Sequence, residues 1–216
     1  AANLVVEALA GSKSSPFESM AFKEGSEFPD TNLVGRHQKR NAALAYCSVL
    51  KIEKIFQVTE EKIRKGLTKV RLEGRWQYIE GNPVMILDAC HNQEGAAALQ
   101  ENLRDYGKSV IVWLAALGED RAVEVINAVV PFAEEIRLFE IKHPRACSIS
   151  SLKKLVPENF KGIVSEGTCE NFTQQVNEVN KASTIVITGS IYLVGDLLSQ
   201  IRESSYPLGH TFQDLL

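Results

Sequence analysis

Apolar positions follow two rhythms along the chain, and the change falls near Glu73-Gly74. On the amino-terminal side, Leu4 to Leu9 predicts a strand. Gly11 to Asp30, dominated by Ser, Lys, Pro, Gly and Asp, predicts a solvated connection with one weak strand around Met20-Ala21-Phe22. Asn41-Ala42-Ala43-Leu44-Ala45 and the residues up to Leu50 then form an Ala/Leu-rich helix. A second helix fits Glu60 to Lys69, capped by Thr59 and acidic in its first turn. Leu72-Glu73-Gly74-Arg75 breaks the helical pattern and reads as a hinge.

From Trp76 onward, short apolar runs alternate with helical stretches. Trp76 to Glu80 and Val84 to Asp88 flank Gly81-Asn82-Pro83, a turn that suits antiparallel neighbours. The pattern then predicts a helix over 94–106, a strand over 109–115, a helix over 121–132 and a strand over 136–141. A short helix over 150–155, a short strand over 162–165 and a helix over 170–181 follow. The strongly β-branched strand over 183–188 and a helix over 191–201 close the pattern, and the residues from Arg202 read as a tail. Such alternation predicts an α/β fold, a doubly wound, mostly parallel sheet of about six strands joined by right-handed crossovers with helices on both faces.

Composition changes this picture little. With 44% hydrophobic and 24% charged residues among 216, the chain can bury a core of its own. A net charge of −3 gives no reason to expect nucleic acid or a membrane surface as partner. No apolar run approaches the roughly 20 residues that span a bilayer. The opening Ala1-Ala2-Asn3-Leu4-Val5-Val6-Glu7 has neither the pattern of a secretory signal nor an initiator Met, and predicts a piece of a longer chain. Cys47, Cys90, Cys147 and Cys169 lack paired C-x-x-C spacing, which argues against a zinc ribbon or disulfide framework and makes a reducing cytoplasm the expected compartment.

Chemistry concentrates where the strand ending at Asp88 meets the next helix, in Asp88-Ala89-Cys90-His91-Asn92. The carboxyl end of a strand and the amino end of the following helix border the ligand crevice of an open α/β sheet. Asp88 has two readings: it caps the turn, or it accepts hydrogen bonds from a ribose. His91 is open to structural, anion-binding and acid–base roles. Asn92 suits a helix cap and Glu94 the positive end of the helix dipole. Ser190, in Thr188-Gly189-Ser190-Ile191-Tyr192, either caps a helix or donates its hydroxyl to an anion, and His143-Pro144-Arg145 is a basic corner or an exposed proline turn. Cys90 beside His91 lacks a third orienting group, so a cysteine nucleophile is not expected. Successive turn residues rarely converge on one ion, so no metal site is expected either. A phosphate-binding loop ending at Lys13-Ser14 fails, because Glu7 and Ser12 stand where that loop needs glycines.

Asn41-Ala42-Ala43-Leu44-Ala45, Gly74-Arg75-Trp76-Gln77, Leu87-Asp88-Ala89-Cys90-His91-Asn92, His143-Pro144-Arg145-Ala146 and the run from Thr188 to Gly195 occur in that order. Together they resemble folylpolyglutamate synthetase and dihydrofolate synthase, of the Mur ligase superfamily, from about Leu33 to Leu198. The resemblance implies that residues 1–73 end a central ATPase domain and that 74–216 form the superfamily's Rossmann-like carboxy-terminal domain. It implies an ATP-dependent carboxylate–amine ligase that adds L-glutamate to folate or dihydropteroate through an acyl phosphate. Asn41 matches the position expected at adenine, Arg75 the arginine reaching the ATP phosphates, and Asp88 the ribose-binding acid. His91 and Ser190 match positions near the incoming glutamate, and Arg75 and His91 are the implied catalytic pair. The phosphate-binding loop, the Mg2+ ligands and the pterin site are expected in a missing amino-terminal part, so the fragment is expected to be inactive alone and the complete protein a cytoplasmic monomer.

Several positions depart from the family pattern. Ala89, Cys90 and Gln93 stand where Gly, Ala and Pro are usual, and the turn Gly118-Glu119-Asp120-Arg121 is altered. Two rival readings are a peptidoglycan-precursor ligase domain and a non-catalytic nucleotide-binding module. An upstream phosphate-binding loop would favour the ligase.

Overall fold

The computed structural model describes residues 2–14, 17, 19 and 27–203. The amino-terminal part is helical: α1 (Ala2–Ser12), α2 (Arg36–Phe56) and α3 (Glu60–Leu67). The strand expected over Leu4–Leu9 is therefore helix. Its Ala and Leu residues have high helical propensity, and among the described residues no strand pairs with it. The weak strand around Met20 lies outside the described residues. Thr59 caps α3 as expected, its hydroxyl accepting from the Lys62 amide at 3.4 Å. Ala42, Ile63 and Leu67 form a small core between α2 and α3, separate from the two clusters that cover the sheet.

The remainder alternates as the pattern requires: β1 (Gln77–Ile79), β2 (Val84–Asp88), α4 (Gln93–Tyr106), β3 (Val110–Leu114), α5 (Glu119–Val129), β4 (Ala133–Leu138), α6 (Ile149–Leu155), β5 (Ile163–Glu166), α7 (Phe172–Glu178), β6 (Thr184–Thr188) and α8 (Ile191–Glu203). The six strands lie in the order β1-β2-β6-β3-β4-β5, with β1 antiparallel to β2 and every other pairing parallel. Ile86, Val112, Leu114, Ile136 and Val186 pack on one face with residues of α4, α5 and α6. Met85, Leu87, Ile111, Trp113, Ile185 and Ile187 pack on the other with residues of α7 and α8. This alternation is the period-two pattern of a sheet buried on both faces.

β4 lies three residues earlier than its apolar pattern suggested. Its polar positions are neutralised where they stand. Arg137 pairs with Glu135 at 3.0 Å, Ser165 Oγ donates to the same glutamate at 2.5 Å, and the guanidinium lies 5.6 Å from the centre of the Trp113 ring. Those contacts let charged residues occupy the sheet, while Phe139 and Ile141 are buried beyond its edge.

Because β6 is inserted between β2 and β3, its following helix, α8, packs on the face opposite to α4 and α5, which follow its two neighbours. The crevice of such a sheet opens at that switch, beyond the carboxyl ends of the strands.

Candidate functional site

Asp88 and Thr188 are register partners at the ends of β2 and β6, so the loops that follow them share one edge of the sheet. Gly189 makes the turn after β6 possible. Its φ is +88°, and a Cβ there would lie 2.3 Å from the Ala115 carbonyl oxygen. Asn92 caps α4, its Oδ1 accepting from the Gly95 amide at 2.8 Å. The positive end of that helix therefore faces the same edge.

The segment 73–76 is stapled onto this edge. The Ala89 amide donates to the Gly74 carbonyl at 2.7 Å, the Gly74 amide to Gln77 Oε1 at 2.9 Å, and the Trp76 amide to Asp88 Oδ2 at 3.1 Å. Gly74 and Trp76 both have positive φ, +66° and +49°. For a tryptophan that conformation is strained, and the Asp88 bond helps to hold it. On the far side of the segment, Glu73 is ion-paired with Arg202 of α8. The expected hinge is thus a pinned corner in this conformation.

Asp88 is 7% exposed, and its second oxygen accepts from the Cys90 amide at 3.0 Å. The turn-capping reading of this acid is therefore realised. Burial pushes its carboxyl up to about 6, against the opposing pull of the two backbone bonds and of Arg75. Each carboxylate oxygen keeps a lone pair for a further donor.

Beside it lies a pocket of about 230 Å³, to which Asn41 comes from α2, Arg75 from the stapled segment, Asp88 from β2, and Asn92, Glu94 and Gly95 from the start of α4. Arg75 is exposed and forms no ion pair among the described residues. The Asn41 amide donates to Gln38 Oε1 at 3.2 Å, and Gln38 is itself buried. A guanidinium and a helix start supply positive potential at one part of this pocket, while Asp88 offers acceptors at another. Such an arrangement can hold an anion and a hydroxyl-bearing group together.

His37 also lines the pocket and was not singled out from the sequence. It sits one helical turn before Asn41, and the i, i+4 spacing was the signal that could have found it. Burial and the nearby Arg75 hold its imidazole below the usual histidine range, with Glu101 opposing them. Its neutral form is therefore favoured.

His91 and Ser190 are on the same edge but do not line this pocket. His91 Nδ1 lies 2.8 Å from the Ala89 carbonyl oxygen. A carbonyl only accepts, so Nδ1 carries the proton and Nε2 is left for other partners. Ser190 is 1% exposed, and its Oγ accepts from the Tyr192 amide at 3.2 Å, which makes it a helix-start residue. His143 reaches the same helix start, its ring stacking on Tyr192 at 4.8 Å. The Cys90 thiol is pushed up to about 12, chiefly by burial and then by Asp88, so it is no thiolate nucleophile at neutral pH. The described cysteines are all free. Among the described residues, no group of three His, Cys, Asp or Glu side chains could hold a metal ion, and no helix is long and apolar enough to cross a membrane.

Fold and pocket together define a doubly wound α/β domain whose ligand crevice lies at its topological switch. No family model matches the chain. It is similar to the dihydrofolate synthase/folylpolyglutamate synthase of Bacillus subtilis, 27% identical over 184 residues that cover 80% of this chain and 41% of that protein. Among solved structures, folylpolyglutamate synthase of Mycobacterium tuberculosis complexed with ADP aligns with a TM-score of 0.65 and 24% identity, over 83% of this chain and 42% of that one. The bifunctional folylpolyglutamate synthase/dihydrofolate synthase of Yersinia pestis, complexed with AMPPNP and Mn, aligns with a TM-score of 0.61 and 19% identity, again over 83% and 42%. The chain thus spans about two fifths of the length of the relatives it matches.

Proposed function

We propose that the chain is the carboxy-terminal part of an ATP-dependent amide ligase that adds L-glutamate to folate, to dihydropteroate, or to both. One observation carries this reading: Asn41, Arg75 and Asp88, from three separate segments, line a single pocket at the end of β2. The similarity to proteins named for that activity, and the nucleotides bound to two of them, supports it.

In this reading the Asn41 carboxamide meets the adenine edge, ionised Asp88 accepts from ribose hydroxyls, and Arg75 lies along the phosphate oxygens. A permanently charged planar fork suits that last task. The reaction transfers the γ-phosphoryl group of ATP to a carboxylate oxygen. Glutamate's amine then attacks the acyl carbon, the amide C–N bond forms, and inorganic phosphate leaves with the C–O electron pair. His91 Nε2 and the Ser190 hydroxyl are the candidates for holding the amino acid nearby. Magnesium supplies charge neutralisation on the phosphates in such reactions. The described residues provide no cluster to hold it, so its ligands are assigned to the rest of the protein.

Residues 1–73 are read as the end of the ATPase domain and 74–216 as the mobile partner domain. The separate α2–α3 core and the exposed Leu44, Ile52, Ile55 and Phe56 on α2 support that division. Without the phosphate-binding loop and the magnesium ligands, which this reading assigns to the rest of the protein, the chain is expected to be inactive alone. The test is ATP-dependent glutamate addition by the complete protein. Arg75→Ala should lower kcat/KM about 100-fold, as losing a charge-stabilising donor commonly does, with the thermal transition unchanged. Wild-type turnover in that variant would refute the assignment. Offering dihydropteroate and tetrahydrofolate as competing acceptors identifies the pterin substrate.

A further inference from the structure

Asn41, Arg75 and Asp88 account for the edge of a nucleotide base, its phosphates and its ribose, but none of them covers the face of the base. The faces of a purine are polarisable and poorly hydrated, and proteins cover them with planar side chains, histidine among them. Of the described residues that line the pocket, His37 alone carries a ring.

Its place on α2 fits that use. His37 and Asn41 are one helical turn apart, so they address the same part of a ligand. The ring is seated against Gly35, whose φ is +104°: a Cβ there would lie 2.9 Å from both Cε1 and Nδ1 of the imidazole, and 2.9 Å from Asn102 Oδ1 of α4. Any side chain at position 35 would therefore displace the ring. Gly95 and Ala98, also about one turn apart, bring a part of α4 with almost no side chain to the same pocket. A phosphate contact would call for an imidazolium. Burial and the neighbouring Arg75 oppose that proton, with Glu101 favouring it, so His37 offers a neutral plane rather than a charge.

We propose that His37 stacks on the adenine ring of the bound nucleotide, with Gly95 and Ala98 of α4 against its other face, and so sets the affinity for the base independently of the phosphates. The inference rests on the nucleotide reading of this pocket. The base is remote from the transferred phosphoryl group, so stacking holds the ground state and the transition state equally and acts on KM rather than on kcat.

Calorimetric titration of the complete protein with ADP and, separately, with inorganic tripolyphosphate reads the two parts of the ligand apart. His37→Ala, checked for an intact thermal transition, should weaken ADP about tenfold and leave tripolyphosphate unaffected. In turnover the same variant should raise KM for ATP about tenfold at unchanged kcat. His37→Phe, which keeps a ring but no titrating group, should bind ADP within about twofold of the unsubstituted protein. Unchanged ADP affinity in His37→Ala, equal weakening of ADP and tripolyphosphate, or a phenylalanine variant as weak as the alanine one would each overturn the stacking role and leave the nucleotide reading standing. Failure of the unsubstituted protein to bind ADP would overturn both.

Discussion

Asp88 joins two requirements that pull in opposite directions. Its burial favours the protonated acid, whereas the role proposed for it at a ribose uses the carboxylate. The folded-state value, raised from 3.8 to about 6, means that the folded protein binds this proton more tightly than the unfolded chain. Its contribution to stability is therefore greatest below about pH 4 and declines as pH rises towards 6, by roughly 3 kcal/mol in all. Ligand binding runs the other way. ADP affinity is expected to be level above about pH 7 and to fall about tenfold per unit below about pH 6. Asp88→Asn should lack that inflection, which distinguishes Asp88 from titration of the nucleotide's own phosphate. An inflection unchanged in the variant would contradict the role. The acid and its place at the end of a strand were legible in sequence, because a short apolar run ending in Asp has few other readings. Its engagement by the Trp76 and Cys90 amides was not legible, since it depends on a tryptophan with φ of +49° that no local pattern signals.

At the scale of elements, the start of α4 decides whether the edge keeps its shape. Asn92 closes the first turn, and Gly95 packs so closely that a Cβ would lie 2.9 Å from Asn92 Oδ1 and 3.3 Å from Cys90 Sγ. Asn92→Ala is expected to cost about 1 kcal/mol, lowering the thermal midpoint by roughly 2–4 °C for a chain of this size. A midpoint identical to wild type in calorimetry would show that the cap contributes nothing. Helix and strand order after Trp76 followed from periodicity because both sheet faces are buried. The misplacement of β4 has a tertiary cause: Arg137 is acceptable in the sheet only because Glu135, Ser165 and Trp113 surround it. Likewise, Leu4–Leu9 carries enough β-branched and apolar character to suggest a strand, while its Leu and Ala residues also favour the helix that is found.

Across the whole molecule, insertion of β6 between β2 and β3 brings the chain's two chemically dense turns to one edge, although a hundred residues separate Asp88 from Thr188 in sequence. The α2–α3 pair brings Asn41 and His37 to the same pocket from outside the sheet. That convergence is the basis of the nucleotide reading, and a crystal structure of the complete protein with ADP tests it most directly. The account predicts ribose oxygens within about 3 Å of the Asp88 carboxylate, adenine against Asn41 and phosphate oxygens on Arg75. ADP bound with none of these three side chains in contact would contradict it.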